Sequence, residues 1–135
     1  MLQGKSVSVI ESIIKKHPNL DLDYKNKDCL TPLHIAVKLD WSDVVDLFLS
    51  YRADPDTLTQ FNQTPLHIAC SQKCAWTVEV LLWYNAKSNI KDTYGLKPYD
   101  IANNNKSFDI LKLLNPKSHT SDSFENMYLT NTDWS

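Results

Sequence analysis

One seven-residue string occurs twice in this chain, 33 residues apart. Thr31 to Val37 reads TPLHIAV and Thr64 to Cys70 reads TPLHIAC, identical at six of seven positions. Another 33 residues on, Lys97 to Asn103 reads KPYDIAN, a weaker third copy. The segments that follow keep the same register: Val44 to Leu49 aligns with Thr77 to Leu82, and then with Ile110 to Leu114. A unit this short cannot bury an apolar face alone, so units repeating at a fixed period must stack on one another.

The residues inside the string explain themselves locally. Thr31 and Thr64 suit an N-cap, where a hydroxyl accepts a bond from an orphan N–H of the first helical turn. Pro32 and Pro65 follow at the first helical position, where a missing N–H costs nothing. Leu33, Ile35 and Ala36 then give a short apolar face, as do Leu66, Ile68 and Ala69. Ala36, Ala69 and Ala102 are small enough to let helices approach closely. The second helix of each unit is the more hydrophobic one and is expected between neighbours. Gly95 falls in the turn before the third helix pair, where a positive φ suits glycine. Its counterparts are Asn62, which tolerates that region, and Cys29, which does not. The first turn is therefore expected to be strained or differently shaped.

These motifs resemble the ankyrin repeat, whose period is about 33 and whose signature is T-P-L-H-x-A. The resemblance covers roughly residues 8 to 115. It implies an all-α solenoid of stacked helix-turn-helix units with projecting β-hairpin loops. It also implies a local structural role for His34 and His67, bonding to the turn and tying neighbouring repeats together; Asp100, at the third position, cannot reproduce that role identically. Partner binding in the family uses hairpin tips and the inner faces of the first helices, which line a concave groove. By aligned position this assigns Lys27, Asp28 and Leu30 on the first hairpin, Gln60, Phe61 and Gln63 on the second, and Thr93, Tyr94 and Leu96 on the third. The first helices add Lys38 and Leu39, Ser71 and Gln72, and Asn104 and Asn105.

The expected organisation is an incomplete N-terminal repeat or cap over 1–25, repeats over 26–58 and 59–91, and a capping repeat over 92–115. Val9 to Ile14 reads as a second helix with no first helix before it, and the turn from Lys15 to Leu22 is about two residues longer than its counterparts. The array thus reads as beginning in mid-repeat, either as a cap or because the chain is a shortened isoform or fragment. Residues 116–135 carry no repeat and are rich in Ser, Thr, Asn and Asp, the composition of a disordered tail. Phe124, Tyr128, Leu129 and Trp134 leave a second option, packing over the last repeat or serving as a docking peptide.

Composition narrows the function classes. A net charge of −2 over 135 residues lacks the basic footprint of a nucleic-acid binder. No apolar run approaches the roughly 20 residues of a membrane helix. Three cysteines, Cys29, Cys70 and Cys74, behind an N-terminus without a signal-peptide pattern favour free thiols and a cytoplasmic or nuclear location. His67, Cys70 and Cys74 make H-x2-C-x3-C, but repeat register explains His67 and Cys70, and no second ligand pair completes four-coordination. Gly4-Lys5-Ser6 resembles the end of a P-loop without the glycine five residues earlier. Neither His34 nor His67 has a nucleophile and orienting partner in the sequence. The expectation is a monomeric, non-catalytic adaptor or scaffold without cofactors, binding another protein. The alternative is a truncated form that acts as a competitive inhibitor or sequesters its partner. Trp76 and Trp83 stand apart: they flank Glu79 at spacings of three and four on a face expected to be exposed, a possible second contact site.

Overall fold

The computed structural model describes residues 2–115. The expected tail over 116–135 and its alternative lie outside the described residues.

Among the described residues seven helices follow one another: α1 (Leu2–Lys16), α2 (Pro32–Lys38), α3 (Ser42–Ser50), α4 (Pro65–Ser71), α5 (Ala75–Trp83), α6 (Pro98–Asn104) and α7 (Phe108–Leu114). They form two layers. In one, α2 packs on α4 and α4 on α6; in the other, α1, α3, α5 and α7 pack in that order. Within each unit the two helices are antiparallel neighbours joined by a tight turn. Leu33, Val37, Val44, Val45, Leu66, Val78, Leu81 and Ile110 are essentially inaccessible and form a single core running along the stack. Ala36, Ala69 and Ala102 are equally buried within the stack.

The helix ends obey one rule that glycine does not mark. α2, α4 and α6 each close with the paired 6→1 and 5→2 bonds of a Schellman turn. Trp41 N–H donates to the Ala36 carbonyl (2.9 Å) and Asp40 N–H to Val37 (3.0 Å); Cys74 and Lys73, then Ser107 and Lys106, repeat the pattern. α3 and α5 end the same way through Ala53 and Arg52, and through Ala86 and Asn85. The left-handed residue of each turn is Asp40, Arg52, Lys73, Asn85 or Lys106, with φ between 57° and 72°.

The projecting loops keep a hairpin path, but no strand forms among the described residues. The reason is local. Asn26 N–H donates to the Leu30 carbonyl (3.0 Å), while the Asn26 side chain accepts from the N–H groups of Asp28 (2.9 Å) and Leu30 (3.1 Å). Thr59 and Asp92 do the same for the second and third loops. A side-chain oxygen thus takes the bond that a second ladder rung would need.

Cys29 adopts φ 62°, beside 60° at Asn62 and 78° at Gly95. The first loop therefore shares the shape of the others, and the cysteine carries the strain. A left-handed L-residue costs about 1–2 kcal/mol, of which glycine's greater freedom in the unfolded chain offsets about half. Cys29→Gly is expected to stabilise the protein by about 0.5–1 kcal/mol. Gly95→Ala is expected to cost about 1 kcal/mol through backbone strain alone, because a Cβ there would meet nothing within 4 Å. Urea midpoints at unchanged slope measure both.

One departure occurs at the N-terminal end: α1 starts at Leu2, well before the expected Val9. As expected, no helix precedes α2 in its own layer among the described residues. Between α1 and the start of α2 lies an apolar depression of about 430 Å3, walled by Ile10, Ile13, Ile14, Leu22, Pro32 and Phe48.

Candidate functional site

The element that orders the site is the Thr–His pair opening α2 and α4. Thr64 Oγ1 accepts the His67 N–H (3.2 Å), and His67 Nδ1 accepts the Thr64 N–H (3.0 Å), a reciprocal capping box. Nδ1 acts as acceptor, so the ring proton sits on Nε2, which donates to the Leu96 carbonyl of the next loop at 2.8 Å. His34 repeats this with Thr31 (3.2 Å) and with the Gln63 carbonyl (3.2 Å). Both rings are fully buried. Burial lowers both histidine pKa values, against the opposing pull of the carbonyls they bond. With both ring nitrogens engaged, His67 is a structural strut. Burial pushes the Cys70 thiol up to about 12, which leaves it protonated and a poor nucleophile. Among the described residues, no group of three His, Cys, Asp or Glu side chains could hold a metal ion.

In the third unit Asp100 keeps half of this device. Its Oδ2 accepts the Lys97 N–H at 2.9 Å, as Nδ1 does in the histidines. A carboxylate has no proton to pass onward, and the ammonium of Lys97 cannot return the cap.

These bonds tie the second loop to α2 and the third loop to α4. The second and third are also joined directly: Thr93 N–H donates to the Phe61 carbonyl (2.9 Å), and Asn62 Nδ2 to Thr93 Oγ1 (3.3 Å). Asp28, Phe61 and Tyr94 occupy equivalent tip positions. Lys27, Asp28, Gln60 and Thr93 are exposed; Phe61 is 47% and Tyr94 74% exposed. Leu30, Gln63 and Leu96 are half-buried at the loop bases, and the carbonyls of the last two serve His34 and His67.

On the adjoining helices Lys38, Leu39, Ser71, Gln72 and Asn104 are exposed, and Asn105 is half-buried. Gln72 and Asn105 already serve the stack. Gln72 Nε2 donates to the Lys38 carbonyl (2.7 Å) and Asn105 Nδ2 to the Cys70 carbonyl (3.3 Å), so each crosses to the preceding unit. Ser71 Oγ turns back to the Ile68 carbonyl. Ile35 was expected in an apolar face, yet it is 38% exposed while its equivalent Ile68 is 8% exposed. The missing neighbour before α2 uncovers it and adds an apolar residue to this surface next to Leu39. That signal was present in the sequence as the absence of a helix motif before Thr31.

Paired helices stacked at a 33-residue period, with histidine struts and projecting turns, define a helical-repeat solenoid of the ankyrin class. The family model described as ankyrin repeats, three copies, matches residues 2–93 and again 43–124, and the chain belongs to this family. Its repeats are in general protein–protein interaction modules and are typically non-catalytic. No curated protein matches the chain. Among the described residues, no helix is long and apolar enough to cross a membrane.

Proposed function

We propose that this protein is a non-catalytic adaptor or scaffold that presents its loop row and the exposed sides of α2, α4 and α6 to a partner protein. The observation that carries this reading is the exposed aromatic pair Phe61 and Tyr94 at equivalent tips, held by backbone bonds between adjacent loops. Aromatic residues dominate binding hot spots. A tip that is ordered before encounter spares the partner part of the entropy of association. The row is short, so the contact is a small one, near or below about 1,200 Å2, as befits a transient interaction. On this reading the protein acts by binding.

Phe61→Ala combined with Tyr94→Ala is expected to weaken partner capture by at least about 30-fold, taking about 2 kcal/mol or more for the pair. Circular dichroism and thermal midpoint should stay within about 1 kcal/mol of the parent, because both side chains project from the stack. Undiminished capture by this variant would move the binding surface away from the tips.

A further inference from the structure

The outer layer carries a second surface, formed by the exposed sides of α3, α5 and α7. α3, α5 and α7 are related by the 33-residue period, so positions 33 apart lie side by side on neighbouring helices. Helices packed in this way stand about 8–10 Å apart. Residues 43, 46 and 50 of α3 form its exposed stripe at i, i+3 and i+7. Their equivalents on α5 are Trp76, Glu79 and Trp83, and on α7 Asp109 and Lys112.

The resulting pattern is specific. Trp76, 64% exposed, stands between Asp43 and Asp109. Glu79 stands between Asp46 and Lys112, and Trp83, 80% exposed, lies one turn further along α5. Tyr84 Oη donates to Asp46 Oδ1 at 2.8 Å, which pins that carboxylate to the end of α5 and orders it beside the stripe. Asp43, Glu79 and Asp109 therefore lie around Trp76, and Glu79 lies one turn from Trp83. With the preceding turn included, where Asp40, Lys73 and Lys106 are equivalent positions, the described part of this face carries five carboxylates (Asp40, Asp43, Asp46, Glu79 and Asp109) against three ammonium groups (Lys73, Lys106 and Lys112).

Large exposed indoles are costly on a free surface unless something covers them. Their faces attract cations, and tryptophan does so most strongly of the aromatic side chains. Carboxylates at the spacing of neighbouring helices add the matching charge and repel anionic lipid headgroups.

We propose that this outer face binds a lysine- or arginine-rich segment of a partner protein, with cationic side chains over Trp76 and Trp83 and bonded to Glu79, Asp43 and Asp109. This contact is separate from the loop row, so the chain can hold two partners at once.

The test uses the full chain and a blocked octa-arginine peptide, with an octa-glutamate peptide as control, followed by calorimetry and tryptophan fluorescence. Saturable binding of octa-arginine alone, weakened by salt, is expected. Trp76→Leu with Trp83→Leu is expected to weaken it about tenfold, the effect of losing two exposed cation–π contacts. Glu79→Lys, which leaves both indoles in place, is expected to abolish it. The paired Phe61→Ala and Tyr94→Ala variant should bind octa-arginine unchanged, which separates this surface from the loop site. Absence of octa-arginine binding, or equal affinity in the tryptophan and Glu79 variants, would overturn the proposal. So would capture of phosphatidylcholine vesicles or self-association through these tryptophans without peptide binding, since the occupant would then be a membrane or a second copy.

Discussion

Replacing His67 with alanine is expected to cost about 3–5 kcal/mol, the largest effect among the three capping side chains His34, His67 and Asp100. The imidazole is fully buried and makes two bonds with backbone groups. Removing it leaves the Thr64 N–H without a partner, at about 1–3 kcal/mol, takes from the Leu96 carbonyl one of its two donors (the Asp92 N–H remains), and opens a cavity at the junction of two repeats. A domain of this size has about 5–15 kcal/mol in total. The thermal midpoint should fall by more than about 10 °C. His34→Ala should cost less, because its bond to the next loop is 3.2 Å rather than 2.8 Å and it lies at the uncovered end of its layer. Asp100→Ala should cost least, about 1 kcal/mol, since only the Lys97 N–H loses a partner. Urea unfolding of the three variants gives the ranking directly. Equal losses at all three would show that these side chains act as local caps and not as ties between repeats.

Mild acid should loosen the stack through the same two histidines. Burial lowers both pKa values in the folded protein, whereas an unfolded histidine titrates near about 6.5. Below that value the unfolded chain binds more protons than the folded one, and stability falls with decreasing pH. The contribution is thus fully present above about pH 6.5 and is lost as pH drops toward and through the folded values. The limiting slope is about 1.4 kcal/mol per pH unit for each histidine. Protonation also has a structural consequence: a proton on Nδ1 would face the Thr31 or Thr64 N–H, donor against donor. Urea midpoints recorded between pH 7.5 and pH 5 should decline, and the decline should be shallower in His67→Ala. A flat profile would mean that the folded and unfolded chains bind protons equally at these rings, and that burial does not hold them neutral.

Much of the architecture was legible because the repeat writes the same physical solution more than once. Thr31 and Thr64 cap, Pro32 and Pro65 open the helices, and Ala36, Ala69 and Ala102 are buried within the stack, as their chemistry requires. Other features were hidden because the residue type does not announce the conformation. Asp40, Arg52, Lys73, Asn85 and Lys106 occupy left-handed positions that glycine would signal; here the paired backbone bonds of the Schellman turns hold them there. The first helix reaches back to Leu2 through Gly4-Lys5-Ser6, a stretch with no repeat partner from which its register could be read.

The candidate site was legible in position and less so in use. Alignment located Phe61 and Tyr94 at the tips, and their exposure is a property of the folded loops. It also selected Gln72 and Asn105, whose amides cross to the preceding repeat. A side chain that reaches 34 or 35 residues back along the chain cannot be distinguished, by spacing alone, from one that reaches a partner. Ile35 was misplaced for the opposite reason: its burial depends on a neighbour that α2 lacks.

Hydrogen exchange of the chain, alone and saturated with a captured partner, tests the central claim most directly. Binding through the loop row should slow exchange at residues 26–30, 59–63 and 92–96 and along the adjoining ends of α2, α4 and α6, and leave the outer faces of α3 and α5 unchanged. Protection confined to α3, α5 and α7, with the loops exchanging as in the free protein, would contradict it.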